Sequence, residues 1–140
     1  MAYNPFSAQG TAFKMATTSA PTVFTTIDGV TGLDGPDGET EEIEVTDLAS
    51  TRKTYVLGLI EEGQIPFDVQ YDPANTMQIE LALAKSDRLV RNFKIVLPNT
   101  DLSEIAFVGL VKKLSYSAQK GEAWKMKCSV RVTGALTITL

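Results

Sequence analysis

Between residues 41 and 98 the hydrophobic period of the chain changes twice. Two runs alternate residue by residue. Ile43 and Val45 oppose Glu42 and Glu44, and further on Ile65, Phe67, Val69 and Tyr71 oppose Gln64, Asp68 and Gln70. A period of two gives each run one dry face and one wet face, as in a half-buried strand. The period then lengthens. Asp72 suits an N-cap, and Pro73 suits the first helical position, where its missing donor costs nothing. Lys85, Arg88 and Arg91 collect toward the far end, where the helix dipole favours cations, so a helix is expected over about residues 73–87. At about 100° per residue, Met77, Leu81 and Ala84 form one stripe, and Ile79, Leu83 and Val90 fall nearly opposite. A lone helix on a small β domain needs one apolar stripe. Two imply that it is covered twice, by its own sheet and by another chain or the N-terminal arm.

The segment 48–62 between the two strands is too apolar for a loop that merely faces water. It carries Arg52, Tyr55, Val56, Leu57, Leu59 and Ile60. Connections of this length without structure of their own are usually functional or disordered, and a contiguous apolar patch marks a contact surface. Two readings remain open: a segment that becomes fixed against another subunit, or a third short strand around residues 53–57 in the same sheet.

The remaining pattern is β. Residues 1–9, with Asn4-Pro5 and isolated aromatics, read as an arm ordered only if something holds it. Threonine-rich and β-branched runs at 11–17 and 22–28 read as strands, and DGVTGLDGPDGETE at 28–41 reads as a long loop. After the helix, 92–98 alternates. Residues 103–116 form a long apolar run in which Gly109 marks a bulge or bend, and 118–122 make a turn. Trp124, Met126, Cys128, Val130 and Val132 then alternate with Lys125, Lys127, Ser129, Arg131 and Thr133, ahead of a last short strand at 136–140. One domain over 10–140 is expected, mainly β: a β-sandwich or open barrel with one flanking α-helix.

Composition narrows the chemistry. A chain of 140 residues buries roughly two-thirds of its unfolded surface and needs no staple. Cys128 stands alone on an inward face, which fits a small buried hydrophobe in a reducing compartment. No window approaches the roughly 20 apolar residues of a membrane span, so no membrane partner and synthesis in the cytoplasm are expected. With no histidine and one cysteine, histidine triads, histidine metal sites and thiolate zinc clusters are excluded. Asp34, Asp37, Glu39 and Glu41 could offer oxygen ligands to calcium, but their spacing departs from the twelve-residue calcium loop, and a solvated turn is the simpler reading. Paired carboxylates such as Glu61 and Glu62 are conceivable, yet no phosphate loop, dinucleotide fingerprint or aromatic-basic platform is present. No catalytic residue, metal or cofactor is expected.

The net charge of −4 conceals two poles. Residues 1–84 hold 13 acids and 3 bases, whereas 85–140 hold 4 acids and 10 bases. These are either separate solvated faces or surfaces through which copies associate head to tail, a contact that closes a ring or propagates a filament.

The order of these segments resembles the major tail tube proteins of long-tailed, non-contractile bacteriophages and related prophages. The matching pieces are EEIEVTDLAS, TRKTYVLGLIEEG, QIPFDVQYDP, the helix, FKIVLPN, FVGLVKKLSYSA and WKMKCSVRVTG, spanning about residues 10–134. The resemblance implies a β-sandwich with a flanking helix that forms hexameric rings stacked into the virion tail tube. Its implied partners are further copies of itself, the tape measure protein, tail-tip and tail terminator proteins, and phage DNA in transit. In that family the long loop, here 48–62, contributes to contacts between subunits and rings; the second helix stripe separately makes Ile79 and Leu83 the candidate intersubunit helix face. Lumen walls in such tubes are usually acidic, which lets DNA slide by repelling phosphates; Glu42, Glu44, Asp68 and Gln70 are the candidates. Another virion part of similar fold, a terminator or connector, and a monomeric β-sandwich binding module are the alternatives.

Overall fold

A computed structural model describes residues 6–49, 51–99 and 101–140. Among them the chain forms β1 (Ala12–Ala16), β2 (Phe24–Thr26), β3 (Val30–Leu33), β4 (Glu39–Glu44), β5 (Tyr55–Glu61), β6 (Gln64–Gln70), α1 (Thr76–Asp87), β7 (Arg91–Val96), β8 (Glu104–Ser117) and β9 (Lys125–Thr139). Seven strands make one antiparallel sheet in the order β2-β1-β7-β8-β9-β6-β3, and β4 and β5 pair apart from it. The mainly β class with one helix is as expected.

The large sheet is rolled. β1 and β6 stand four strand positions apart, which would separate them by about 19 Å in a flat sheet. Yet the Phe13 and Phe67 rings meet edge to face with centroids 4.7 Å apart. The two halves therefore face one another as in an open barrel, with Phe13, Phe67, Phe93 and Phe107 between them. Gly109 serves this closeness: a Cβ there would run into Val130 on β9. The ladder irregularities lie on either side of it, between Ala106 and Val108 and between Val111 and Lys113.

α1 closes the core with Met77, Leu81 and Ala84, the first of its two stripes. Its start differs from expectation. Asn75 is the N-cap, its Oδ1 accepting from the Met77 and Gln78 amides, whereas Asp72 and Pro73 stay in the preceding turn. The cause is Gln78, which is buried rather than flanking. Its Oε1 takes the Asp72 amide proton, while its Nε2 donates to the carbonyls of Asp28 and Gln70. That side chain sews the helix start to β6 and to the turn after β2. At the other end Arg91, 2% exposed, bonds Glu80 through Nε at 3.0 Å and Asp87 through its terminal nitrogen at 2.7 Å.

Other expectations need correction. The loop expected over 28–41 contains β3 and the start of β4. Segment 48–62 is not a loop throughout, because Tyr55–Glu61 is a strand; it also lies in its own two-stranded sheet, unlike the short strand considered at 53–57. Ile43 and Val45 are exposed, since no layer covers β4. Trp124, expected in the core, is 56% exposed because it precedes β9 in the turn that the Tyr71 amide bonds through the Trp124 carbonyl. The last strand is continuous with β9: Gly134, at φ 89°, bends the chain without ending the ladder to β8. Residues 1–5 of the expected arm, Ser50 and Thr100 lie outside the described residues, and Phe6 to Gln9 are exposed.

Three tests follow from this packing. Arg91→Met should destabilise the fold by about 2–3 kcal/mol in urea titration, against less than about 1 kcal/mol for Lys94→Met, whose Glu104 pair is partly exposed. The Arg91 hydrogen bond, with that from the Leu89 amide, also holds the Asp87 carboxyl below its ordinary range. A depressed carboxyl stabilises the fold above its unfolded pKa of about 3.9, and this contribution is lost as pH falls through the folded value, so Asp87→Asn should flatten the stability decline below about pH 4. Burial, with the nearby Asp68 charge second, pushes the Cys128 thiol up to about 12. A thiol reagent at neutral pH should therefore modify Cys128 only after denaturation, and rapid labelling of the native chain would mean that β9 opens.

Candidate assembly surfaces

The β4–β5 hairpin is held firmly at its root and barely at its sides. β5 turns into β6 through Gly63, at φ 80°, where a side chain would strike the Asp37 carboxylate. That carboxylate accepts the Gln64 amide proton at 2.9 Å, and the Gly63 carbonyl accepts from Val132 on β9 at 3.0 Å. Arg131 of β9 pairs with Glu61 at the end of β5. Asp37, a candidate calcium ligand by sequence, thus has a structural task. At the far end the Thr54 carbonyl accepts from the Val45 amide, and the Thr54 amide donates to the Thr46 hydroxyl.

Register assigns the faces. Glu42 stands opposite Leu57, Ile43 opposite Val56, and Glu44 opposite Tyr55, and opposite residues share a face. One face therefore holds Glu42, Glu44, Tyr55 and Leu57, and the other holds Ile43 and Val56. A register shift between Thr40 and Glu42 gives β5 an extra residue near Leu59. Apolar side chains occupy both faces, and neither face is covered. Leu57, Leu59 and Ile60 are 71%, 81% and 70% exposed, with Tyr55 and Val56 close to half. Arg52 is exposed in the turn before β5.

The hairpin also has two free edges. In the seven-stranded sheet the edge strands β2 and β3 have three and four residues, and β3 is irregular, which blunts them against pairing. β5, with seven residues, remains an open, apolar edge. An isolated two-stranded hairpin is only marginally stable in water.

The second unpartnered surface is the outer stripe of α1. Ile79 and Leu83 are half exposed, and Leu89 and Val90 beyond the helix extend the patch. Sequence periodicity found Ile79, Leu83 and Val90 but missed Leu89, which the left-handed Arg88 C-cap turns outward. It also missed the exposure of Trp124 and Tyr116, for which only the nearby turn residues gave a signal.

The four lumen candidates fall on two different sheets. Glu42 and Glu44 lie on the hairpin beside Tyr55 and Leu57, whereas Asp68 and Gln70 lie on β6 opposite Lys127 and Lys125. A groove on that outer face is lined by Lys112, Lys113 and Lys127 and also by Asp34, Asp37 and Asp68. Charge there is mixed rather than acidic. The irregularity between Val111 and Lys113 is what leaves two successive lysines exposed.

No curated protein sequence matches this chain. Solved structures do, at low identity. The SPP1 tail tube, determined as a hybrid of solid-state NMR and cryo-EM, superimposes with a TM-score of 0.78 at 12% identity, covering 96% of this chain and 79% of the other. The tail of an empty gene transfer agent particle, refined with C6 symmetry, gives 0.77 at 18% identity over 97% of this chain and all of the other. A sheath/tube terminator of an extracellular contractile injection system gives 0.74 at 10% identity over the whole of both chains. The family model for the phage tail tube, lambda-like, matches residues 4–96. With more than half its length matched, the chain belongs to the lambda-like phage tail tube protein family, and is a structural, tube-forming protein of the virion tail.

Proposed function

We propose that copies of this chain form hexameric rings that stack into the tail tube through which DNA leaves the virion, with the β4–β5 hairpin as the principal contact. The observation that carries this reading is the open apolar edge of β5, rooted rigidly at Gly63 but uncovered on both faces. Burying two or three such side chains yields about 1.5–3 kcal/mol each, enough to hold a contact repeated along a tube. The six-fold symmetry of the gene transfer agent tail supports the ring size.

The role is architectural, with no reaction catalysed. Further copies form the tube, and the tape measure, tail-tip and tail terminator proteins are its other partners. DNA passes without sequence-specific binding. With the hairpin given to subunit contact, Glu42 and Glu44 are not free to line the bore, which leaves Asp68 and Gln70 on β6 as the lumen candidates. A terminator role is the second reading, favoured by the full-length superposition on a tube terminator. A terminator stops at one ring, whereas a tube protein adds ring upon ring.

Wild-type protein, alone or nucleated by tail tips, should form tubes visible by electron microscopy. Leu57→Asp with Leu59→Asp should leave the circular dichroism spectrum unchanged and raise the concentration needed for assembly by at least about a hundredfold. Tubes persisting at the wild-type concentration would overturn the hairpin's role, and single rings without stacking would favour the terminator reading.

A further inference from the structure

Resting on the tube reading, we propose that the β4–β5 hairpin of one copy docks onto the outer stripe of α1 in the next. Each surface has an exposed apolar centre. On the hairpin this is Tyr55 and Leu57, sharing a face with Glu42 and Glu44. On the helix it is Ile79 and Leu83, continued by Leu89 and Val90.

Charge selects this pairing. Lys85 on one flank of α1 and Arg88 at its end are exposed and make no ion pair among the described residues. On the other flank Glu80 and Asp87 are both engaged by the buried Arg91. The helix therefore presents a net positive rim around an apolar stripe, and the hairpin face presents carboxylates beside an apolar pair. Opposite signs at the rim fix register and steer encounter, while the apolar centre supplies affinity.

The main competing acceptor is answered within its own chain. The lysine groove on β8 and β9 faces Asp34, Asp37 and Asp68 and offers few large apolar groups. α1 is also the better prepared surface, because Asn75, Gln78 and Arg91 hold it in place before any partner arrives. Hairpin and helix are different surfaces of one chain, so their contact is heterologous and leaves each copy with one donor and one acceptor.

A charge-reversal cycle tests the pairing. Glu42→Lys with Glu44→Lys, and separately Lys85→Glu with Arg88→Glu, should each raise the assembly concentration by about tenfold or more. The fourfold variant should return to within about threefold of wild type. If either pair has no effect, or if the fourfold variant assembles no better than the worse pair, the docking is overturned while wild-type tubes uphold the tube reading. A wild-type chain that never forms rings or tubes would sink the tube reading itself. If a reversed variant does not fold, Leu57→Cys chains mixed with Leu83→Cys chains decide, since Cys128 is buried. A short bismaleimide should then join position 57 to position 83 within tubes. Tubes that give only 57-to-57 products, or none, would overturn the docking.

Discussion

A strand with apolar residues on both faces and only one strand beside it has no place to bury them within its own chain. β5 is such a strand, and most of the molecule is arranged around its position. Gly63 forces the chain from β5 into β6 through a turn that tolerates no side chain, and Asp37 fills the space a Cβ would need. Val132 and Arg131 on β9 fasten the same corner to the middle of the large sheet. The hairpin is thus aimed by the rigid part of the fold, while its apolar sides stay uncovered. Rigidity at the root matters for assembly, because a contact surface held in place loses little entropy when it binds.

The rolled sheet supplies that rigidity. Phe13 reaching Phe67 across four strand positions encloses a core to which the hairpin contributes no residue. α1 seals this core and at the same time shows a second apolar stripe outward. Arg91 links the two roles: buried beneath the helix end, it pairs with Glu80 and Asp87 and offsets one of their two charges, so that with Lys85 and Arg88 the helix end is net positive. One buried cation therefore fixes the helix and sets the sign of its exposed face.

Much of this was legible in the pattern of residues. Strict alternation found β6 and β9, and the doubled stripe on α1 found both the face that is buried and Ile79 and Leu83, which are exposed. What was missed has physical causes. Asp72-Pro73 looks like a helix start by local chemistry, but the buried Gln78 claims the Asp72 amide and delays the helix to Asn75, a long-range effect. β3 was hidden because two of its four residues are Thr31 and Gly32, which resemble a turn until β6 pairs with them. Segment 48–62 was recognised as too apolar for a solvated loop, yet its strand character depends on pairing with an acidic segment that alternation had assigned to a buried sheet. Ile43 and Val45 show the limit of that rule: alternation marks two faces but cannot say whether the dry one is covered by its own chain or by another.

Amide hydrogen exchange, compared between the unassembled chain and assembled tubes, tests the central claim most directly. In the free chain the amides of Tyr55–Glu61 should exchange much faster than those of the rolled sheet, as expected for an uncovered two-stranded hairpin. In tubes they should gain at least about a hundredfold protection, the largest gain in the molecule. A hairpin that is already as protected as β6 in the free chain, or one whose exchange is unchanged in tubes, would contradict the account.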